Sequence, residues 1–247
     1  MKTNSIRTTL LTVATLLAAP NGWNCQSSVI PQTFSVPFSP ADVPRQSFRA
    51  VASGNGFAAA VTSEGQLMFS RNDIGWDKVE LPCPTFLRSV ACANGLFVAV
   101  GGSYVDVPGV VFTSRDGKTW TRRVPKNRIN LYGITYGNGL LVAVGDADTI
   151  LTSRDGTSWR AQRTPTSDVL LTAAAYSAGT FVVVGDSGTI LTSTNGIHWR
   201  KRSSGTSSHL STVLRSSGGF VAAASGRAWI SPDGTAWTQR PFATTNR

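Results

Sequence analysis

Five tryptophans recur at one position of an internal repeat, and this repeat constrains the fold more than any other feature of the chain. Segments 48–62, 87–101, 131–145, 171–185 and 210–224 align on one another without gaps. Each is followed by a short strand-like run, a turn and a tryptophan. Repeats of about 40 residues are typical of architectures in which each copy forms one supersecondary unit. The repeat tryptophans are Trp76, Trp120, Trp159, Trp199 and Trp237.

Each repeat has the pattern of four short strands. The first strand carries a small residue at one shared position, as expected where strands crowd around a central channel. The second strand is apolar throughout, which indicates burial on both faces. Four-stranded units of this length form the blades of a β-propeller, which has about four to eight of them. We therefore predict an all-β fold, a β-propeller of five four-stranded antiparallel blades over residues 47–247. The small residues are Ala50, Ser89, Gly133, Ala173 and Thr212.

The N-terminal segment has the pattern of an export signal, which we assign to residues 1–27. Lys2 and Arg7 precede a short apolar run at 10–19, and this run falls short of the roughly 20 residues that a membrane helix needs. Residues 28–46 form an extension in which 33–38 alternates like a strand that could help to close the ring. We expect a secreted or periplasmic monomer with no transmembrane segment in the mature chain. A lipid anchor at Cys25 is the minor alternative.

Cleavage after Ser27 would remove Cys25 and leave two cysteines in an oxidising compartment. An even pair in such a compartment favours a disulfide, so we predict a Cys83–Cys92 bridge. The alternative is two buried thiols that pack as small apolar groups.

The turn before each repeat tryptophan reads Ser-x-Asp-Gly-x-x-Trp, with Asn in place of Asp in one copy. This turn resembles the Asp-box, or BNR, repeat of sialidases, sortilin-type receptors and photosystem II assembly-factor propellers, although its Ser-to-Trp spacing is one residue shorter than in that family. The resemblance implies a fold and no particular activity. It implies a structural role for Asp116, Trp120, Asp155, Trp159, Asn195, Trp199, Asp233 and Trp237. The first copy, before Trp76, is degenerate.

The sequence offers little for catalysis. The resemblance to sialidases implies an arginine triad, a Tyr–Glu pair and an acidic proton donor, but Glu64 and Glu80 are the only glutamates and the Arg-Ile-Pro signature is absent. Most glycosidases need two facing carboxylates. The two histidines, His198 and His209, show no metal-ligand spacing. We expect no catalytic residues, no metal and no cofactor.

The loops after the second strands vary most among the repeats, and this variation favours a binding site there. We predict that these loops border one concavity that contacts a ligand or partner. The alternative is that their acids only form turns. The predicted binding residues are Tyr104, Asp106, Asp146, Asp186 and Arg227.

Basic residues cluster after the repeat tryptophans, and the net charge is +10. Cations on outer strands discourage edge pairing, or they form a belt for an acidic partner. Nucleic acid is disfavoured, because the chain carries an export signal and these segments lack interleaved aromatic residues. This basic rim comprises Arg122, Arg123, Arg160, Arg200, Lys201 and Arg202.

These patterns together favour an exported, non-catalytic scaffold that binds a protein, an anionic glycan or a cell-surface polymer. Two alternatives stay open. One is a sialidase-like glycoside hydrolase or a lyase, and the other is an assembly factor for a membrane protein complex.

Overall fold

The computed structural model describes residues 13–14, 31–32, 47–71, 75–83, 85–102, 109–123 and 129–241. Within them lie five four-stranded antiparallel sheets, each built from consecutive strands in chain order, and no α-helix. The chain is therefore a five-bladed β-propeller, as the repeat predicts. A separate ribbon pairs Val13–Ala14 with Pro31–Gln32. The predicted strand at 33–38, Cys25 and the degenerate first turn at 72–74 lie outside the described residues.

In every blade the strands run in chain order from the innermost to the outermost. Blade 1 comprises Phe48–Gly54, Phe57–Thr62, Leu67–Ser70 and Asp77–Val79. Blade 2 comprises Leu87–Ala93, Leu96–Gly101, Val110–Ser114 and Thr121–Arg123. Blade 3 comprises Leu131–Gly137, Leu140–Gly145, Ile150–Ser153 and Arg160–Ala161. Blade 4 comprises Leu171–Ser177, Thr180–Gly185, Ile190–Ser193 and Arg200–Arg202. Blade 5 comprises Thr212–Ser216, Gly219–Ala224, Arg227–Ser231 and Thr238–Pro241.

Apolar side chains fill the junctions between consecutive blades. Phe97 and Val98 are neighbours on the second strand of blade 2, and both are fully buried. Phe97 belongs to the core shared with blade 1, whereas Val98 belongs to the core shared with blade 3. Blade 4 repeats this arrangement with Phe181 and Val182. The continuous apolar pattern of the second strands thus reflects burial on both faces.

The innermost strands approach one another closely, which explains their small residues. A Cβ atom on Gly133 would lie 2.9 Å from the Cα atom of Ala173 in the next blade. The backbone N–H of Ile134 lies 3.4 Å from the Ser89 hydroxyl oxygen in the preceding blade, to which it donates. A larger side chain at the shared position would force the blades apart, as the sequence pattern predicts.

Four turns before the repeat tryptophans share one hydrogen-bond arrangement, and we call them the box turns (114–120, 153–159, 193–199 and 231–237). In the first, the Asp116 carboxylate accepts from the backbone N–H groups of Lys118 and Thr119 at 2.9 and 2.7 Å. The Trp120 indole N–H donates to the Gly117 carbonyl at 2.8 Å. Trp120 and Trp199 are buried, whereas Trp159 and Trp237 are half-buried. Hydrogen bonds from the residue at the Asp position and from the tryptophan indole thus close each of these turns.

These hydrogen bonds favour the ionised carboxylates. The backbone N–H of Thr119 is the main cause that lowers the pKa of Asp116 to about 2. The backbone N–H groups of Ser158 and Thr157 hold the pKa of Asp155 well below its usual range. The Thr235 hydroxyl, with its backbone N–H, lowers the pKa of Asp233. A carboxylate whose pKa is lower in the folded than in the unfolded chain stabilises the fold above its unfolded pKa.

We therefore expect the protein to lose stability in acid, because the carboxylates of the box turns become protonated. The contribution is complete above pH 4, near the unfolded pKa of about 3.9, and it disappears as the pH falls towards 2. The combined Asp116→Asn, Asp155→Asn and Asp233→Asn variant keeps an acceptor, as Asn195 does naturally, but it does not titrate. Its free energy of unfolding in denaturant should change less between pH 4 and pH 2 than that of the native chain. Equal acid dependence in the two proteins would contradict this account.

The predicted Cys83–Cys92 disulfide is wrong. Cys83 is a free, half-buried thiol, whereas Cys92 is disulfide-bonded. The reason is the direction of the innermost strand of blade 2, because Cys83 precedes its start whereas Cys92 lies near its far end. Five residues of extended strand separate Leu87 from Cys92 by about 16 Å. A disulfide needs Cα atoms within about 7 Å.

Candidate functional site

The topology divides the connections between two faces. The first hairpin turn of each blade and the box turns lie on one face, which we call the box face. The loops between second and third strands, and those that lead into the next blade, lie on the opposite loop face. Each innermost strand starts at the loop face, so its first residues surround the mouth of the channel.

A β-bulge marks the start of the innermost strand in blades 1 to 4. The strand register shifts between Leu87 and Ser89 in blade 2, and at the equivalent position in the three other blades. A bulge leaves one residue out of the ladder and re-aims its side chain, and bulges are over-represented beside active sites. The bulged residues, which we call the mouth residues together with their equivalent in blade 5, are Arg49, Arg88, Tyr132, Thr172 and Ser211.

The mouth residue of blade 2 contacts that of blade 3. The Arg88 guanidinium lies 4.4 Å from the centre of the Tyr132 ring and 5.1 Å from that of Phe86. The Arg49 guanidinium lies 5.9 Å from the centre of the same Phe86 ring. Arg88 is 5% exposed, whereas Arg49 is exposed. Two arginines thus sit at one side of the mouth against aromatic rings, which attract cations through their negative faces.

The predicted Asp146 and its neighbour Asp148 form hydrogen bonds to adjacent loops. The Asn130 amide donates to the Asp146 carboxylate at 3.1 Å, and the Asp146 backbone N–H donates to the Asn130 carbonyl at 3.2 Å. Asp148 has a positive φ of 56°, and its backbone N–H donates to the Val169 carbonyl at 2.8 Å. Asp146 thus joins its loop to the one that leads into blade 3, which agrees with the turn-forming alternative.

Asp186 faces a histidine across a blade boundary. Its carboxylate contacts the Nδ1 atom of His209, which lies in the loop before blade 5, and both side chains are about half exposed. Asp186 was predicted from the sequence as a binding residue, whereas His209 was given no role. The only signal in the sequence was that Asp186 directly follows one aligned segment and His209 directly precedes the next, so both are expected in loops on the same face.

The other predicted site residues are placed as follows. Arg227 is exposed at the start of the third strand of blade 5, at the loop face. Tyr104 and Asp106 lie outside the described residues, so their shared concavity with Asp146, Asp186 and Arg227 stays a prediction. The part of the chain that the structure describes holds no cluster of three His, Cys, Asp or Glu that could bind a metal. Those same residues also include no helix long and apolar enough to span a membrane.

Sequence reasoning missed the mouth arginines. In the gap-free alignment, the second residue of each first strand is arginine in blades 1 and 2 and varies among the other blades, beside the shared small position. That contrast was available, but the bulge that places these side chains at the mouth was not.

No protein-family profile matches the chain, and no curated protein matches it either. Among solved structures, virginiamycin B lyase from Staphylococcus aureus is similar at a TM-score of 0.68 and 12% identity, over 81% of this chain and 71% of that one. YCF48 bound to a D1 peptide is similar at a TM-score of 0.57 and 19% identity, over 85% and 70%. The nidogen–laminin complex is similar at 0.61 and 13%, over 75% and 76%. At these identities the likeness concerns the fold, and it places the chain among the β-propellers.

Proposed function

We propose that this chain is an exported, non-catalytic scaffold that binds a partner protein at the mouth of its channel. The observation that carries the proposal is the pair of arginines, Arg49 and Arg88, against the same Phe86 ring. In this proposal the exposed Arg49 binds a carboxylate of the partner, either an acidic side chain or a C-terminus, and the buried Arg88 adds positive charge behind it. The box turns support a place for the chain among Asp-box propellers.

The chemistry of the pair suits this role. A guanidinium is always charged and presents a planar fork of donors that matches a carboxylate bidentately. The rings of Phe86 and Tyr132 hold the buried Arg88 side chain in place, so its charge is fixed on the same Phe86 ring that Arg49 approaches. Arg49 is exposed beside it and can meet an incoming anion first. The net charge of +10 adds long-range attraction for an acidic partner.

Two of the similar structures hold a protein or peptide partner, namely YCF48 with a D1 peptide and nidogen with laminin. Peptide capture by a similar propeller supports a peptide-sized partner for this chain. An assembly factor would be one form of such a scaffold, because it holds another chain while a complex is built.

The test compares fluorescent acidic peptides that end in a free carboxylate with the same peptides amidated at the C-terminus and carrying Gln for Glu. We expect the native protein to prefer the carboxylate forms. Arg49→Gln should weaken binding at least tenfold, because a hydrogen bond to a charged group contributes about 1.5–3 kcal/mol. Arg122→Gln is the matched control, since it removes one exposed arginine from the rim of blade 2. Equal binding of both peptide forms, or equal losses in the two variants, would refute the mouth site.

Lyase chemistry is the second candidate, and the contact between Asp186 and His209 favours it. A carboxylate that orients an imidazole is a common arrangement for a general base, and a similar lyase structure is a catalytically inactive histidine-to-alanine variant with quinupristin. Mass analysis of quinupristin incubated with the native protein and with His209→Ala tests this candidate. If the native protein converts quinupristin and His209→Ala does not, the chain is an enzyme and the scaffold proposal is wrong.

A further inference from the structure

Two grooves on the box face have equivalent walls. The first has a volume of 610 Å³ and lies between blades 3 and 4. The second has a volume of 380 Å³ and lies between blades 4 and 5. Each is bounded by the outer strand of one blade and by the box turn of the next. Leu140, Thr152, Asp155 and Arg160 in the first groove correspond in the repeat to Thr180, Thr192, Asn195 and Arg200 in the second.

The two grooves meet at Asn195, which lines both of them. Together the two grooves extend over three blades, and we call them the path. Asn195 occupies the box position that is Asp116, Asp155 and Asp233 in the other box turns. The only one of these four turns without a carboxylate is thus the one at the centre of the path.

The path is bordered by cations. Arg154 and Arg160 line the first groove, and Arg200 and Arg202 line the second. Arg154, Arg160 and Arg200 are exposed, and within the described ranges none of the three forms an ion pair. Arg202 is anchored, because its Nε atom donates to the Thr192 hydroxyl at 2.9 Å. Cations lie on both sides of Asn195, and the carboxylates of Asp155 and Asp233 lie in separate grooves.

From this arrangement we propose that the path binds an extended anionic polysaccharide, at a site separate from the channel mouth. A polymer with regular anionic groups suits a surface that repeats once per blade. The walls present hydroxyl and amide groups, such as Ser158, Gln162 and Thr235, that can hydrogen-bond to sugar hydroxyls.

An acidic polypeptide fits this surface less well. Peptides are commonly bound by addition to a sheet edge, with pockets for alternate side chains. The outer strand that borders the first groove is only Arg160–Ala161, two residues long, and it offers too short an edge for pairing. Ile197 is the one large apolar side chain of the path that is exposed, at 48%.

A charge exchange within the box turns tests the proposal without disturbing the fold. The Asn195 Oδ1 atom accepts from the backbone N–H groups of Ile197 and His198, both at 2.9 Å. The Asp155 carboxylate accepts from the equivalent groups, both at 2.8 Å. Either residue thus closes the turn, so both variants should keep the fold, although Asp155→Asn should lower the thermal midpoint slightly because it loses the stabilisation of the ionised carboxylate. The change within the path is one of charge.

The probe is a series of polygalacturonate oligomers of increasing length, with neutral dextran as the uncharged control. We expect affinity to rise with length until an oligomer spans both grooves. Asn195→Asp should weaken binding about three- to fivefold at low salt, and Asp155→Asn should strengthen it by a similar factor. Both effects should shrink as salt rises, because exposed charges are screened.

Matched variants away from the path separate local from global charge effects. Asn94→Asp adds a negative charge at an exposed turn of blade 2, and Asp168→Asn removes one from an exposed loop on the loop face. Both should leave polygalacturonate affinity nearly unchanged. If they act as strongly as the box variants, or if dextran binds equally well, the path is not the site. If poly-glutamate binds better and responds to the same variants, the ligand is an acidic polypeptide and the polysaccharide proposal is wrong. Peptide binding at the mouth is measured separately through Arg49→Gln, so either proposal can fail alone.

Discussion

Replacing Trp120 by alanine should lower the free energy of unfolding by about 3–5 kcal/mol. The side chain is 7% exposed and belongs to the core shared by blades 1 and 2. Its ring lies 6.4 Å from that of Phe97, measured between centres, and its indole N–H closes the box turn on Gly117. The substitution therefore removes apolar packing between two blades and one hydrogen bond.

Trp199→Ala should have an effect of the same size, because Trp199 repeats these contacts. Its ring lies 6.4 Å from Phe181, and it donates to the Gly196 carbonyl at 3.1 Å. Trp237→Ala should cost less, since Trp237 is only half-buried and lies in the last blade. Equilibrium denaturation of the three variants provides the measurement. An unchanged unfolding midpoint for Trp120→Ala would refute the structural role of the repeat tryptophans.

The repeat was sufficient to predict the blades, because each copy carries its own turn signals and apolar strand. Asn55 and Gly56, for example, both take positive φ in the first hairpin of blade 1, as an Asn-Gly pair between strands predicts. The small residue at Gly133 likewise followed from the alignment. Local pattern and global fold agree, because every blade packs its apolar strands against its neighbours in the same way.

The candidate site was less predictable, because it depends on contacts between repeats. Arg88 acquires its position through a bulge. It contacts Phe86, two residues before it, and Tyr132, in the next blade. The disulfide prediction for Cys83 failed for a related reason. Cys83 and Cys92 are close in the sequence, but that closeness does not show that they lie at opposite ends of the strand. The path through Asn195 also depends on the placement of three blades side by side.

The box glycines show a second contact between repeats, and it leads to the other large expected effect. Gly117 has a φ of +72°, and a Cβ atom there would lie 2.4 Å from the Phe69 ring of blade 1. Phe69 is 2% exposed, so its ring has no free space into which to move. Gly117→Ala therefore combines left-handed backbone strain with overpacking, and it should lower the free energy of unfolding by roughly 2–5 kcal/mol.

Gly56→Ala provides the matched control. Gly56 has a nearly identical φ of +74°, but nothing lies within 4 Å of its added Cβ atom. This variant should cost only the backbone strain, about 1–2 kcal/mol. The excess for Gly117→Ala should shrink when Phe69 is also replaced by leucine, because the two sites then no longer collide, and a double-mutant cycle measures this coupling. If the two glycine variants are equally stable, and the cycle shows no coupling, the box turn does not hold blade 2 against blade 1.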